Sequence, residues 1–125
     1  MTARASGLIV DIEGTRRFVA ASLAIRAVQR PPVTPVPGAP LGIALVDGLV
    51  VPVLELGPDP AELLLCQVQG QLVALAGIRV VRSGLFRTLE DAVELDGKRI
   101  RVLDVEAELR SLEQRVGAVR LGEVP

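Results

Sequence analysis

The stretch TPVPGAPLGIALVDGLVVPV, residues 34–53, decides the fold of this chain. Prolines stiffen its first part, and two apolar runs follow, joined by Asp47 and Gly48. Asp-Gly between two apolar runs is a strong hairpin signal, because a tight turn between twisted strands requires positive φ angles. Pro52 cannot donate a ladder hydrogen bond, so it predicts an edge, a bulge or a corner of a sheet. The segment predicts a rigid loop and a β-corner, and nothing in it suits chemistry.

The same pattern recurs outward along the chain. Apolar runs of strand length also flank Glu13-Gly14, Gln69-Gly70 and Asp96-Gly97. Four such hairpins predict an antiparallel barrel or sandwich. The runs alternate poorly between apolar and polar residues, which favours strands covered on both faces or strongly curved strands. The prolines and glycine of residues 57–60 interrupt the pattern, and we interpret them as a boundary between two β-subdomains.

The character of the chain changes at Asp104. From there apolar residues recur at helical spacing, Asp104 is a suitable N-cap, and Gly117 is a suitable end. The pattern predicts a helix over residues 105–117. One interpretation is a helix that covers the open end of a barrel, and the other is a helix that docks a partner.

Composition excludes several classes of protein. The chain has 125 residues, half of them apolar, and a net charge of −1. Its only aromatic residues are Phe18 and Phe86, so the core must be aliphatic. Few aromatic side chains are available to stack on bases, and the near-zero net charge does not favour phosphate binding. We therefore expect no nucleic-acid partner. The single cysteine, Cys66, excludes an internal disulfide and fits a reducing cytoplasm.

No targeting or membrane segment is expected. Asp11 and Glu13 interrupt the first apolar stretch at once, which argues against a signal-peptide core. The uncharged run over residues 63–78 is too short for a membrane span, and we interpret it as two strands joined at Gln69-Gly70.

Candidate catalytic groups are almost absent. The chain has no histidine, so a serine–histidine triad and a histidine-ligated metal are excluded. One cysteine cannot make a zinc site, and Cys66 lies in an apolar strand pattern typical of an inert, buried thiol. We therefore expect no enzymatic activity, no cofactor and no metal. An acidic group could be imagined as a cation site, but its spacing lacks the order of a calcium loop and favours a solvated hairpin face; it comprises Glu90, Asp91, Glu94 and Asp96.

Five segments in order resemble the CheW-like family of chemosensory adaptors. They are FVAASLAIRAV (18–28), TPVPGAP (34–40), GIALVDGLVVPVLEL (42–56), LLLCQVQGQLVALAGIRVV (63–81) and LDGKRIRVLDVEAEL (95–109). The resemblance spans nearly the whole chain. It implies one CheW-like domain over residues 1–125, mainly β, with two small SH3-like five-stranded β-barrels and a C-terminal helix. Combined with the break at 57–60, it places the first barrel at 7–56 and the second at 61–104.

The resemblance also implies a function. Proteins of this family are cytoplasmic, non-catalytic scaffolds that hold a CheA-type histidine kinase to the cytoplasmic tips of chemoreceptors. A groove beside the first barrel takes the receptor tip, and barrel ends contact the kinase's regulatory domain. The partner-binding positions that correspond here are Ile25, Ala27 and Val28, with Asp47 and Gly48 close by. For Ile25 and Val28, ordinary core packing is the alternative interpretation.

Three departures from the family pattern lead to an alternative function. Asp47 stands where the family has arginine, a charge reversal that predicts repulsion of an acidic partner group. Ala27 stands where the family has an acidic residue, and the stretch from Ser83 to Ala92 is short, which predicts an incomplete second barrel. The alternative is a specialised adaptor that binds the receptor but has lost or weakened kinase binding. A third hypothesis, from another class, is a small ligand-binding barrel or accessory subunit unrelated to signalling.

Overall fold

The computed structural model describes residues 3–38 and 41–111. This part of the chain is mainly β, with a single helix over 105–111. The strands are β1 (Arg4–Ile12), β2 (Thr15–Ala20), β3 (Ala24–Gln29), β4 (Val33–Pro35), β5 (Leu41–Val46), β6 (Leu49–Glu55), β7 (Asp59–Val68), β8 (Gln71–Gly77), β9 (Arg79–Thr88), β10 (Ala92–Leu95) and β11 (Lys98–Arg101). They form sheet A, in the order β11-β10-β9-β1-β2, and sheet B, in the order β3-β7-β8-β6-β5-β4.

All four predicted hairpin turns are confirmed. Each joins two antiparallel strands through a non-glycine residue followed by glycine, both with positive φ, the signs that a type I′ turn requires. The φ angles are 51° and 85° at Glu13 and Gly14, 49° and 79° at Asp47 and Gly48, 51° and 77° at Gln69 and Gly70, and 50° and 77° at Asp96 and Gly97. Local turn chemistry therefore fixes the register of these four strand pairs.

The two sheets divide the chain differently from the predicted barrels at 7–56 and 61–104. Sheet A combines strands from the two ends of the described chain, residues 4–20 and 79–101, whereas the intervening residues 24–77 form sheet B. The break at 57–60 lies inside sheet B, between β6 and β7. The sheets divide the chain in this way because β1 pairs along most of β9. This pairing joins distant parts of the chain, and no local sequence pattern predicts it.

Sheet A is also more complete than the sequence suggested. Ser83 to Thr88 belong to β9 and are not a shortened connection, so the sheet has five strands. A parallel bridge between Phe18 and Val102 brings its two edges together into a barrel-like form. Its interior holds Ile9, Phe18, Phe86, Val93, Leu95 and Ile100. The two aromatic rings meet edge to face, with centroids 5.9 Å apart.

Sheet B curls around an aliphatic interior of its own. Val28 on one edge strand and Val33 on the other both pack against it, so the two edges of the sheet approach each other. The buried members of this interior are Ala44, Val46, Val51, Val53, Leu63, Leu65, Ala74 and Ala76. A third buried cluster, with Val10, Val19, Leu54, Leu75 and Val105 among its members, joins the two sheets and the helix into one unit.

Pro52 occupies a corner of sheet B. It pairs with Ile43 of β5, but the pairing of β6 with β8 begins only at Val53. Before Val53, β6 has a strand partner on one side alone, and a residue without an N–H is tolerated there.

The helix begins where the sequence predicted. The Asp104 carboxylate accepts a hydrogen bond from the backbone N–H of Ala107 at 2.9 Å, as an N-cap does. Leu109 packs against the cluster between the sheets, which supports the covering role. The predicted continuation from 112 to 117 lies outside the described residues. No helix in the described ranges is long and apolar enough to cross a membrane.

Candidate partner-binding site

An open cleft of about 660 Å³ lies between the two sheets. Its walls come from β1, β3, β7 and β9 and the segment after β2, and most of its lining residues are small or aliphatic. They include Gly7, Leu8, Ala21, Ala24, Ala27, Val80 and Gly84, with Arg26 and Glu62 as the charged members. A concave, weakly polar surface of this kind suits an apolar side chain or the face of a helix.

Strand β3 forms one wall of this cleft and contains three of the predicted partner-binding residues. Ala27 is exposed and lines the cleft. Val28 is half-buried and packs against the interior of sheet B, which agrees with the alternative interpretation of ordinary core packing. Ile25 is the extra residue of a β-bulge, because Ala24 pairs with Cys66 and Arg26 with Leu65. The side chain of Ile25 lies outside what the structure describes.

The structure gives Asp47 a partner within the chain. Its carboxylate forms an ion pair with the guanidinium of Arg26, so the predicted repulsion of an external acidic group does not follow from Asp47 alone. Both side chains remain more than half exposed. A second pair joins Arg30, just after β3, to Glu55 at the end of β6 through two hydrogen bonds. Together the two pairs link the β3 region to both ends of β6.

Next to the Asp47-Gly48 turn, sheet B carries an exposed apolar strip formed by Ile43, Leu45 and Val50. Their exposed fractions are 45%, 63% and 72%. Leu45 and Val50 are cross-strand partners in the β5–β6 hairpin, while the intervening Ala44 and Val51 point into the sheet interior. This strip was not predicted from the sequence, because poorly alternating runs favour strands covered on both faces. The signal was present in LGIALVDGLVVPV, which supplies apolar residues to both faces of one hairpin.

The described residues offer no arrangement suited to catalysis. Cys66 is fully buried, and burial raises the pKa of its thiol to about 12, so the thiol stays protonated and unreactive near neutral pH.

Three of the acidic residues considered as a cation site form ion pairs: Asp91 with Arg99, Glu94 with Arg87 and Asp96 with Arg82. No group of metal-ligating side chains and no buried polar side chain occurs in the described ranges. Both sheet interiors are filled by apolar side chains, which leaves little to orient a small ligand there.

Comparison with known proteins supports the fold. The structure resembles the crystal structure of the scaffolding protein TtCheW from Thermoanaerobacter tengcongensis, with a TM-score of 0.62 and 14% sequence identity. The match covers 82% of this chain and 90% of that one. No family model and no curated protein matches the sequence. The fold is therefore CheW-like, at a sequence identity too low to carry partners or residue roles across.

Proposed function

We propose that this protein is a non-catalytic adaptor of bacterial chemosensory signalling, which couples chemoreceptor cytoplasmic tips to a CheA-type histidine kinase. In this proposal the protein is cytoplasmic and is recruited to receptor arrays. The cleft between the two sheets is the observation that carries it: an open, largely apolar surface on a fold shared with a scaffolding protein.

The cleft is the proposed receptor site. A receptor tip is a helical hairpin, and a helix docks by inserting apolar side chains into a groove. Ala24 and Ala27 on β3 leave room for such side chains because their own are small. Ile25, on the same strand, is proposed as a further contact on the strength of the family resemblance.

The exposed apolar strip is the proposed kinase site. Ile43, Leu45 and Val50 project from the β5–β6 hairpin beside Asp47 and Gly48, so a partner that covers them also approaches the turn. A regulatory domain of the same fold could bury the strip against one end of its own barrel, and exposed aliphatic side chains of this kind are typical of protein interfaces.

The test separates the two sites. We would titrate the purified protein, by calorimetry, with a receptor cytoplasmic hairpin and, separately, with the kinase's regulatory domain. Ala27→Asp should weaken receptor binding at least about tenfold and leave kinase binding unchanged, because it places a charge in the apolar cleft. The double variant Leu45→Glu with Val50→Glu should do the reverse. Gln29→Asp is the matched control for the cleft, because Gln29 is exposed on the same strand and does not line the cleft.

Three outcomes would count against the proposal. If neither partner binds, the adaptor function is wrong. If the receptor hairpin binds and the kinase domain does not, the specialised adaptor is the correct function. If Ala27→Asp and Ile25→Asp together leave receptor binding unchanged while Leu45→Glu with Val50→Glu weakens it, the two sites are assigned the wrong way round.

A further inference from the structure

Strand β9 has an open edge over residues 81–85. On one side it pairs with β1 along most of its length, but on the other side it pairs with β10 only at Arg87 and Thr88. Beyond that point β9 and the β10–β11 hairpin diverge, and an opening of about 410 Å³ separates them. All five residues from Val81 to Leu85 are exposed, an unusual run for a strand in the middle of a sheet.

The backbone groups at this edge can be assigned from the neighbouring hydrogen bonds. The backbone N–H of Thr88 donates to the carbonyl oxygen of Ala3, at 3.0 Å, so the backbone groups of Thr88 face the β1 side. The carbonyl oxygen of Ser6, the partner of Leu85 on β1, accepts from the N–H of Ala21 and so faces away from β9. Because alternate residues of a strand direct their backbone groups to opposite sides, Ser83 and Leu85 direct theirs away from β1. In the described ranges no strand and no side chain pairs with them there. The edge therefore presents two N–H donors and two C=O acceptors at the spacing of a β-ladder.

Among the described residues, the glycine pair next to this edge is packed unequally. A Cβ added at Gly84 would meet only the Cζ of Phe86, at 3.9 Å, so that face of the sheet is open beside Gly84. Gly7, the direct partner of Gly84 on β1, is closely packed, because a Cβ there would lie 2.4 Å from the carbonyl oxygen of Val19. The chain thus packs closely on one side of this glycine pair and leaves the other side open.

Charge decides what could pair with this edge. The charged residues of β9 are all arginines, Arg79, Arg82 and Arg87, and Arg4 lies opposite Arg87 on β1. Arg82 and Arg87 approach Asp96 and Glu94 at 3.8 and 3.4 Å, yet both arginine side chains stay more than half exposed. A second copy pairing antiparallel about Ser83 would place Arg79 against Arg87, and like charges directly opposite are unfavourable. An acidic strand would meet attraction along the same edge.

We propose that the edge of β9 from Val81 to Leu85 binds an extended acidic peptide segment by β-strand addition. The ladder groups of Ser83 and Leu85 pair with the peptide backbone. The exposed side chain of Leu85 contacts apolar residues on one face of the peptide, and Arg82, on the opposite face of β9, attracts carboxylates on the other. This surface borders the cleft, since Ser83 and Gly84 contribute to both, but it recognises an extended chain and not a helix.

The test uses a fluorescein-labelled peptide of alternating glutamate and valine, about eight residues long, and fluorescence anisotropy with the full chain. We expect saturable binding that weakens as salt is raised, and no binding of the matching lysine–valine peptide. Ser83→Pro removes the outward N–H and should reduce affinity at least about tenfold, whereas Ser83→Ala keeps the N–H and should bind like the parent.

A second peptide keeps the proposal testable if Ser83→Pro fails to fold. N-methylation of alternate valines removes the peptide's own ladder donors, and this peptide should bind at least about tenfold more weakly than the unmethylated one. Absence of binding by the acidic peptide, or equal binding of the methylated one, would overturn the proposal. A dimer in light scattering that Ser83→Pro abolishes would assign the edge to a second copy and would also overturn it.

Discussion

Arg26 and Asp47 form an ion pair that joins β3 to the turn between β5 and β6. Arg26 lines the cleft, and Asp47 is the first turn residue of the β5–β6 hairpin that carries the exposed apolar strip. The pair therefore connects the two surfaces that we propose as partner sites. It also positions the Arg26 side chain beside the turn, where the charge on Asp47 offsets its own.

Reversal of one charge in this pair should be mildly destabilising and reversal of both should restore stability. Asp47→Arg places two guanidinium groups together, and because both side chains are more than half exposed the cost should stay below about 1 kcal/mol. Urea unfolding of Arg26→Glu, Asp47→Arg and the double variant measures the coupling free energy. Glu13→Arg is the control, since Glu13 occupies the same turn position with a φ of 51°. Equal losses in Asp47→Arg and Glu13→Arg would show that the turn, and not the ion pair, is responsible.

Gly77 and Gly70 should respond very differently to alanine, although both have a φ of 77°. A Cβ on Gly77 would lie 1.8 Å from the carbonyl oxygen of Gly57, whereas a Cβ on Gly70 would meet nothing within 4 Å. Gly70→Ala should therefore cost about 1 kcal/mol, the conformational term alone. Gly77→Ala should cost about 3 kcal/mol or more, or prevent folding, because two backbone segments would have to separate. Thermal and urea unfolding measure both, and similar losses would contradict the close approach of Gly57 and Gly77.

The stability of the protein should fall above about pH 9 because of Cys66. Burial raises the pKa of this thiol from 9.0 to about 12, so between these values the unfolded chain loses a proton that the folded chain keeps. The free energy of unfolding then decreases with rising pH, by up to about 1.4 kcal/mol per pH unit. The sequence has no tyrosine and no histidine, so few other groups titrate in this range. Urea unfolding from pH 8 to pH 11 should show the decrease in the parent and a smaller one in Cys66→Val.

A second measurement on Cys66 tests the same burial. The thiol should react with Ellman's reagent in urea and not under native conditions, because the protonated, fully buried sulfur is inaccessible to the reagent. Rapid reaction of the native protein at neutral pH would contradict both the burial and the raised pKa.

The sequence by itself determined the local structure of this protein. Asp-Gly, Gln-Gly and Glu-Gly pairs specify type I′ turns because glycine takes the second positive φ without strain, so all four hairpins could be predicted. The cap at Asp104 and the buried Cys66 follow from equally local patterns. The resemblance to CheW-like proteins added the overall fold class, which the structural comparison supports.

Only the tertiary structure decided how these hairpins combine. The pairing of β1 with β9 joins residues 68 to 83 positions apart, from Asp11–Arg79 to Arg4–Arg87, and places both strands in one sheet, across the boundary that residues 57–60 suggested. The same pairing makes one wall of the cleft and leaves Ser83 and Leu85 at an open edge. The pairing of β3 with β7 in the other sheet places Ala27 in the cleft and Val28 against the interior of sheet B. Local turn signals act over a few residues, whereas the choice between alternative strand partners depends on which apolar faces can be buried together, and that is settled only when the whole chain packs.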